Sequence, residues 1–149
     1  MGYYDIQMER SIHAGRGKVY QILSDYQTHH KNILPKKYFK ELKILAGGVG
    51  EGTKFNLEMS VGGKKHAAQM QVTEPIPGYH LQESDLENDM VTSFFLEEIS
   101  DQLTRVKIVT RLKEKKSWFG KIEAFGVKML LKKIYRLELE KLDAYAQKI

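Results

Sequence analysis

Two acidic residues on one predicted strand, Glu83 and Asp85, are the first candidates for chemistry in this sequence. Residues i and i+2 of a strand point to the same side of a sheet and lie about 6–7 Å apart. If both carboxyl groups were buried, their repulsion and the loss of water would raise at least one pKa toward neutrality. Such a group can act as a general acid or base. The simpler interpretation is that this end of the sheet is open to water.

Arg10 and His66 have the strand parity of the same side. An arginine there could bind a carboxylate of a ligand, or it could pair with one of the two acids as internal structure. His66 is predicted to face Met59 across a hairpin, where a neutral imidazole could serve as a base or a hydrogen-bond donor. A lone inward histidine is, however, more often a polar wall residue with satisfied hydrogen bonds.

The other histidines do not predict a metal site. His66 and His80 are separated by about 23 Å along the strand ladder, which is too far for one ion. His29 and His30 are adjacent, so on a helix their side chains diverge by about 100°. We favour a surface position for His30, with the mouth of a cavity as the alternative. The sequence has no cysteine, which excludes thiol chemistry and zinc fingers, and neither a metal nor a cofactor is expected.

Other motifs are absent or ambiguous. The glycine-rich stretch 47–52 lacks a following Gly-Lys-Ser/Thr and precedes a strand, so it does not fit a phosphate-binding loop. No G-x-S-x-G supports a serine hydrolase. Trp118, Phe119 and Phe125 lie beside two glycines and could form an aromatic gate, although ordinary helix packing is the favoured interpretation.

The length and composition predict one soluble domain. The chain has 149 residues, of which 42% are apolar and 29% charged, as in globular proteins with a sizeable core. No stretch approaches the ~18 apolar residues that span a bilayer, and the first residues lack the pattern of a signal peptide. We therefore expect a cytoplasmic protein.

The net charge of +5 is unevenly distributed. Residues 1–100 hold 11 basic and 13 acidic residues, net −2, whereas residues 101–149 hold 13 and 6, net +7. Basic residues at helical spacing among apolar ones favour the solvated face of an amphipathic helix. Contact with an anionic membrane surface is the alternative. Nucleic-acid binding is not expected, because the sequence shows neither a recognition motif nor stacking platforms.

Alternating apolar positions predict a meander of strands whose pairing can be checked for consistency. Residues that face each other in a hairpin must lie on the same side of the sheet. Turns at 62–63, 75–78, 88–89 and 100–102 connect the strands. The predicted partners are Phe55 and Met70, Met70 and Glu83, Glu83 and Phe94, and Phe94 and Ile108. All four hairpins agree in parity and give one largely apolar side.

The elements outside the meander complete an α+β fold. A first strand is predicted over 4–12, a short helix over 19–26, a second turn or helix over 28–34, and another strand over 42–46. Helical spacing of apolar residues from about Ser117 onward predicts one long closing helix. The order is β-α-α-β6-α. We expect seven antiparallel strands curved around the C-terminal helix, with two short helices after the first strand.

This pattern resembles the START-like superfamily, which has the helix-grip fold, and in particular its bacterial polyketide cyclase/dehydrase and lipid-transport branch. The resemblance covers nearly the whole chain as a single ligand-binding domain over 1–149. It rests on the stretches 9–14 (ERSIHA), 19–26 (VYQILSDY), 33–35 (ILP), 48–53 (GVGEGT), 72–78 (VTEPIPG), 103–106 (LTRV) and 135–142 (YRLELEKL).

The resemblance implies a cavity between sheet and helix that binds a hydrophobic or amphipathic molecule, such as a lipid, a quinone or a polyketide-like compound. The predicted walls are Phe55, Leu57, Met70, Phe94, Ile108, Leu130 and Ile134, and the predicted polar end is Arg10, His66, Glu83 and Asp85. The alternative is a cyclase or dehydratase in which Glu83, Asp85 or His66 transfers a proton. A third hypothesis is peripheral membrane contact through the basic C-terminal third. The sequence does not predict an oligomeric state.

Overall fold

The order of strands and helices is the predicted one. The computed structural model describes residues 2–113 and 124–149. Its elements are β1 (Tyr3–Ile12), α1 (Arg16–Ser24), a 3-10 turn (His30–Asn32), β2 (Phe39–Ala46), β3 (Lys54–Val61), β4 (Lys64–Ile76), β5 (His80–Asp85), β6 (Met90–Ser100), β7 (Leu103–Lys113) and α2 (Ala124–Lys148). The second of the two predicted short helices is a single 3-10 turn.

The seven strands form one antiparallel sheet in the order β1-β7-β6-β5-β4-β3-β2. Each strand from β2 to β7 neighbours the next along the chain, whereas β1 pairs with β7. Helix α2 covers the inner side of the curved sheet with an apolar stripe that includes Leu131, Ile134 and Leu142, all buried. The helix runs closest to β1 and α1. Sheet and helix thus enclose the core between them.

The hairpin predictions are confirmed at both ends of the meander and wrong by two residues in its middle. Phe55 pairs with Met70, and Phe94 pairs with Ile108, as predicted. Glu83, however, pairs with Val72 and Thr92 instead of Met70 and Phe94. The causes are a β-bulge between Thr73 and Ile76 and a four-residue turn, 86–89, whose centre lies one residue before that of the predicted turn at 88–89. Because both shifts are even, every side chain keeps its predicted side.

Backbone conformations at two turns explain their sequences. Gly62 and Gly63 connect β3 to β4 with φ of 58° and 78°, a conformation that side chains disfavour and glycine adopts freely. Asp89 closes the turn between β5 and β6 with φ of 53°. Aspartate tolerates this region better than most residues do. Both hairpin turns therefore have residues that tolerate the positive φ angles they require.

The start of the last helix lies partly outside the described residues. The sequence predicts helix from about Ser117, and α2 is described from Ala124 onward. Trp118 and Phe119 of the proposed aromatic gate also lie outside the described residues, while Phe125 is exposed. Among the helices in the described part of the chain, none combines the length and apolar character needed to cross a membrane.

Candidate functional site

A small cavity lies between the sheet and α2. Its volume is about 50 Å³, which is room for a few water molecules. Side chains from the chain around the 3-10 turn, from β2 to β6 and from α2 surround it. The lining residues are His30, Leu34, Phe39, Leu42, Phe55, Leu57, Met59, Met70, Glu83, Met90, Thr92, Phe94, Leu131, Tyr135 and Glu138.

Four of the seven predicted wall residues line this cavity: Phe55, Leu57, Met70 and Phe94. Two others, Ile108 and Ile134, are fully buried in the core but are not among its lining residues.

Leu130 lies on another side of α2. It is half-buried and borders an outer groove together with Met8. Leu131 takes the predicted place of Leu130 in the cavity. Successive residues of a helix point about 100° apart, so a shift of one residue changes which surface a side chain reaches.

Glu83 projects from β5 into the cavity and is buried. Its Oε2 accepts a hydrogen bond of 2.6 Å from the Tyr26 hydroxyl and lies 3.6 Å from Nε2 of His30. Burial raises the pKa of the Glu83 carboxyl group, and the charge of His30 and the hydrogen bond from Tyr26 only partly oppose this shift. Glu83 thus holds a carboxyl group in an environment that favours proton uptake.

His30 is buried beside Glu83, so the expectation of a surface position was wrong. Its Nδ1 is 2.6 Å from the carbonyl oxygen of Leu23. A carbonyl only accepts, so Nδ1 carries the proton and donates it, which leaves Nε2 to face Glu83. The imidazole stacks on Tyr26 with ring centroids 4.3 Å apart and meets Phe94 edge-on at 5.9 Å. The 3-10 turn therefore orients His30 toward the carboxyl group of Glu83.

Glu138 supplies a second buried carboxyl group from α2. It is 3% exposed and lines the cavity, and within residues 2–113 and 124–149 its Oε2 has no hydrogen-bond partner. Burial and the charge of Glu83 raise the pKa of Glu138 well above its usual value. The protonated form, which can donate a proton, is therefore favoured. The pair that the cavity brings together is Glu83 with Glu138, not Glu83 with Asp85.

The sequence did contain a signal for Glu138. Its position continues the buried stripe of α2 from Leu131 and Tyr135 toward Leu142, at steps of three and four residues. An acidic residue on an otherwise apolar helical stripe indicates an inward carboxyl group. This periodicity places Glu138 against the sheet, but only the structure shows that Glu83 is its neighbour.

Hydroxyl groups form a short polar path beside the two carboxyl groups. The Tyr135 hydroxyl on α2 hydrogen-bonds to the Thr110 hydroxyl on β7, which lies 2.8 Å from the Thr92 hydroxyl on β6. Burial raises the pKa of Tyr135, although these hydrogen bonds act in the opposite direction. Tyr135 and Thr92 also line the cavity. A ligand inside would therefore meet neutral hydroxyls as well as carboxyl groups.

Arg10 does not reach the cavity, contrary to the prediction. It has the predicted parity, but β1 is an edge strand, and there the side chain meets α2 instead of the interior. Its guanidinium is 42% exposed and lies 3.2 Å from the Asp143 carboxylate. Asp143 also accepts hydrogen bonds from the backbone N–H of His13 and from the Gln147 side chain. We call Arg10, His13, Asp143 and Gln147 the β1–α2 clamp.

Asp85 and His66 are also placed away from the cavity. Asp85 is buried, but its carboxylate accepts hydrogen bonds from the backbone N–H groups of Glu87 and Asn88 and from the Asn88 amide. It therefore stabilises the turn between β5 and β6. His66 faces Met59 as predicted. It is half-buried near the tip of the β3–β4 hairpin and does not line the cavity.

The arrangement combines an apolar enclosure with groups able to donate and accept protons. Glu138 can donate a proton to a ligand oxygen, while Glu83 and His30 can share or accept one. Among the described residues, no group of three or more histidines, aspartates and glutamates could hold a metal ion. The chemistry available to these side chains is hydrogen bonding and proton transfer at a small organic ligand.

Comparison with known proteins identifies the fold. No protein-family model and no curated protein matches the chain in sequence. Among solved structures, the KanY protein matches with a TM-score of 0.83 and 22% identity over 99% of both chains. A START superfamily protein from Mycobacterium smegmatis matches with a TM-score of 0.79 and 14% identity over 99% of both chains. The Zhui aromatase/cyclase from Streptomyces sp. R1128 matches with a TM-score of 0.77 and 13% identity over 99% of this chain and 95% of that one. This chain therefore has the helix-grip fold of the START-like superfamily, as its sequence predicted.

Proposed function

We propose that this protein binds a small hydrophobic or amphipathic molecule, such as a lipid, a quinone or a polyketide-like compound, between the sheet and α2. The observation that carries the proposal is Glu138, a buried carboxyl group on an apolar cavity, whose Oε2 has no hydrogen-bond partner among the described residues. A hydroxyl or carbonyl group of a ligand would supply the missing partner.

The energetics of burial support this role for Glu138. A buried polar group without a partner destabilises a protein by about 1–3 kcal/mol, and a buried charge costs more. A leucine or methionine on the same helical stripe would avoid this penalty. Two buried carboxyl groups beside one cavity therefore destabilise the fold if they only fill the core. They are useful, however, for orienting the polar group of a bound molecule.

The cavity must expand to accept such a molecule. Pockets for drug-sized ligands measure about 300–1,000 Å³, far above the 50 Å³ present here. Three methionines, Met59, Met70 and Met90, line the cavity, and their unbranched side chains can change rotamer without strain. The proposal thus requires these methionines to move when a ligand enters.

The similar structures support the proposal in general terms. One is described as a START superfamily protein and another as an aromatase/cyclase. The same fold in this chain surrounds a cavity with polar groups at one side. Identification of any molecule that copurifies with the protein will distinguish among a lipid, a quinone and a polyketide.

The binding proposal predicts selective changes at the cavity methionines. On titration with 1,4-naphthoquinone or decanol, the ¹³C-methyl NMR signals of Met59, Met70 and Met90 should shift. The signal of Met129, which is 56% exposed on α2, should remain unchanged and serves as an internal control. Native mass spectrometry of freshly purified protein, followed by extraction, would identify a natural ligand.

Two neighbouring leucines provide matched variants for this experiment. Leu131→Phe adds volume inside the cavity and should weaken ligand binding at least tenfold. Leu130→Phe makes the same change on the other surface of α2 and should leave binding unchanged. Equal effects of the two variants, or shifts at Met129 alone, would contradict binding in this cavity.

A second candidate function is acid–base catalysis of the cyclase or dehydratase type. The specific observation in its favour is that two carboxyl groups with raised pKa values share the cavity with His30. In a dehydration, Glu83 would remove a proton from the carbon next to a carbonyl. Glu138 would protonate the departing hydroxyl, which leaves as water.

The catalytic candidate predicts loss of turnover when either acid is neutralised. An aryl β-hydroxyketone is a suitable probe, since loss of water gives a conjugated enone that absorbs in the near ultraviolet. Glu83→Gln and Glu138→Gln should each lower the rate by about 10²–10⁴-fold, and Glu140→Gln, an exposed control on the same helix, should not. Unchanged rates in the first two variants would overturn catalysis while leaving the binding proposal intact.

A further inference from the structure

A second, open groove adjoins the cavity at the edge of the sheet formed by β2. It extends from the 3-10 turn to β2 and has a volume of about 510 Å³. Its lining residues are Lys31, Asn32, Leu34, Lys36, Phe39, Lys40, Glu41 and Leu42. We call this the lysine groove. It differs from the cavity in being open to solvent and in carrying net positive charge.

Three side chains separate the groove from the cavity and face both. Leu34, Phe39 and Leu42 line the lysine groove and also line the cavity beside Glu83 and Glu138. Leu34 is buried, while Phe39 and Leu42 are only partly buried. Movement of these three side chains would connect the two spaces. After such a movement, the groove would be the outer half of a path into the interior.

The polar groups along the path differ between its outer and inner halves. Lys31, Lys36 and Lys40 border the open groove, where Glu41 is the one acid among the lining residues. The Lys40 ammonium donates a hydrogen bond of 3.0 Å to the backbone carbonyl of Lys36, which holds this charge near the backbone of the groove. The interior half contains two carboxyl groups instead. An anionic group would thus be stabilised beside the lysines, whereas in the buried cavity it would lose its hydration and meet carboxyl groups instead of ammonium groups.

We infer that the ligand is an amphiphile with an anionic group, which the lysine groove binds while the apolar part passes Leu34, Phe39 and Leu42 into the cavity. The inference rests on the proposed binding function and specifies its substrate class. It also fixes the orientation of the ligand, because the apolar end must precede the anionic end. A hydroxyl or carbonyl at the leading end would then reach Glu138.

Paired ligands of equal chain length test this inference. Decanoate and decanol differ in the charge of the end group, and decanoate is ionised at pH 7.5. We expect wild-type protein to bind decanoate about tenfold more tightly than decanol, since each of the three exposed lysines contributes modestly. Calorimetry gives the affinities, and the methyl signals of Met59, Met70 and Met90 show whether the chain enters the cavity.

A triple variant and a control with the same change in charge show whether the lysine groove causes the preference for decanoate. Lys31→Gln, Lys36→Gln and Lys40→Gln together should abolish the preference for decanoate and leave decanol affinity unchanged. Lys54→Gln, Lys64→Gln and Lys148→Gln together remove three exposed lysines elsewhere and should preserve the preference. Raising sodium chloride to 0.5 M should reduce the preference in wild-type protein.

The outcomes separate this inference from the function on which it rests. Equal affinity of wild-type protein for both ligands, or a preference that survives the lysine-groove substitutions, would overturn the inference and leave cavity binding standing. If neither ligand nor naphthoquinone shifts the cavity methionines, the proposed binding function fails and the inference fails with it.

Discussion

Replacing Glu138 with glutamine is expected to stabilise the protein at pH 8 and to have almost no effect on stability near pH 4.5. Burial raises the folded-state pKa of Glu138 above its ordinary value of 4.5. A group shifted in this direction contributes its full stability below the unfolded pKa, and that contribution is lost as the pH rises through the folded pKa. Glutamine has nothing to ionise and avoids this loss.

The gain from Glu138→Gln at pH 8 should be roughly 1–3 kcal/mol, the range for relieving a buried charge without a partner. For a chain of this size, each kcal/mol corresponds to about 2–4 °C in Tm. Urea denaturation at pH 4.5, 6, 7 and 8 measures the difference. Glu140→Gln, an exposed change on the same helix, is the control. Its difference from wild type in the free energy of unfolding should not change with pH. A loss of stability at pH 8 would show that Glu138 is already well paired.

Replacing Asp143 with alanine is expected to have the opposite effect, with a loss of about 1.5–3 kcal/mol at pH 7. Asp143 is the acceptor of the β1–α2 clamp and is buried, so its removal leaves the partners on β1 without their carboxylate. Although burial alone would raise the pKa of Asp143, hydrogen bonds from His13 and Arg10 hold it below its ordinary value of 3.8. The pKa shifts of Glu138 and Asp143, two buried acids on α2, thus have opposite directions, because hydrogen bonds stabilise the carboxylate of Asp143.

The pH dependence distinguishes the clamp from a general packing defect. A lowered pKa contributes stability that is present above the unfolded pKa and lost as the pH falls through the folded pKa. The difference between wild type and Asp143→Ala should therefore be constant from pH 5 to 7 and shrink below about pH 4, near the unfolded pKa. Asp101→Asn, an exposed substitution in the turn before β7, is the control. A difference that persists unchanged into acid would contradict the clamp.

The strands were predictable because several independent constraints determine which side of the sheet each side chain faces. One buried side imposes a period of two, and each hairpin must agree with its neighbour, so an error of one residue would have placed apolar groups in water. An error of two residues keeps every side chain on its side of the sheet, so the hydrophobic pattern does not reveal it. That is why the pairing of Glu83 was wrong while its inward direction was right, and why the bulge near Ile76 escaped detection.

The candidate site was harder to predict because its members come from distant parts of the chain. His30 and Glu83 are 53 residues apart, and Glu83 and Glu138 are 55 apart. No local pattern brings them together; only the curvature of the sheet and the position of α2 do so. Conversely, Arg10 has the inward parity of its strand but lies at the sheet edge, a distinction that alternation cannot make.

The order of the strands also constrains how the chain folds. Strands β2 to β7 are linked by consecutive hairpins, whose contacts are local in sequence, whereas β1 pairs with β7 across more than 90 residues, from Ile12 to Thr104 at the nearest. Closing so long a loop is entropically costly, so this pairing should form after the hairpins. The β1–α2 clamp depends on the same late step. Asp143→Ala should therefore mainly accelerate unfolding and leave the refolding rate almost unchanged.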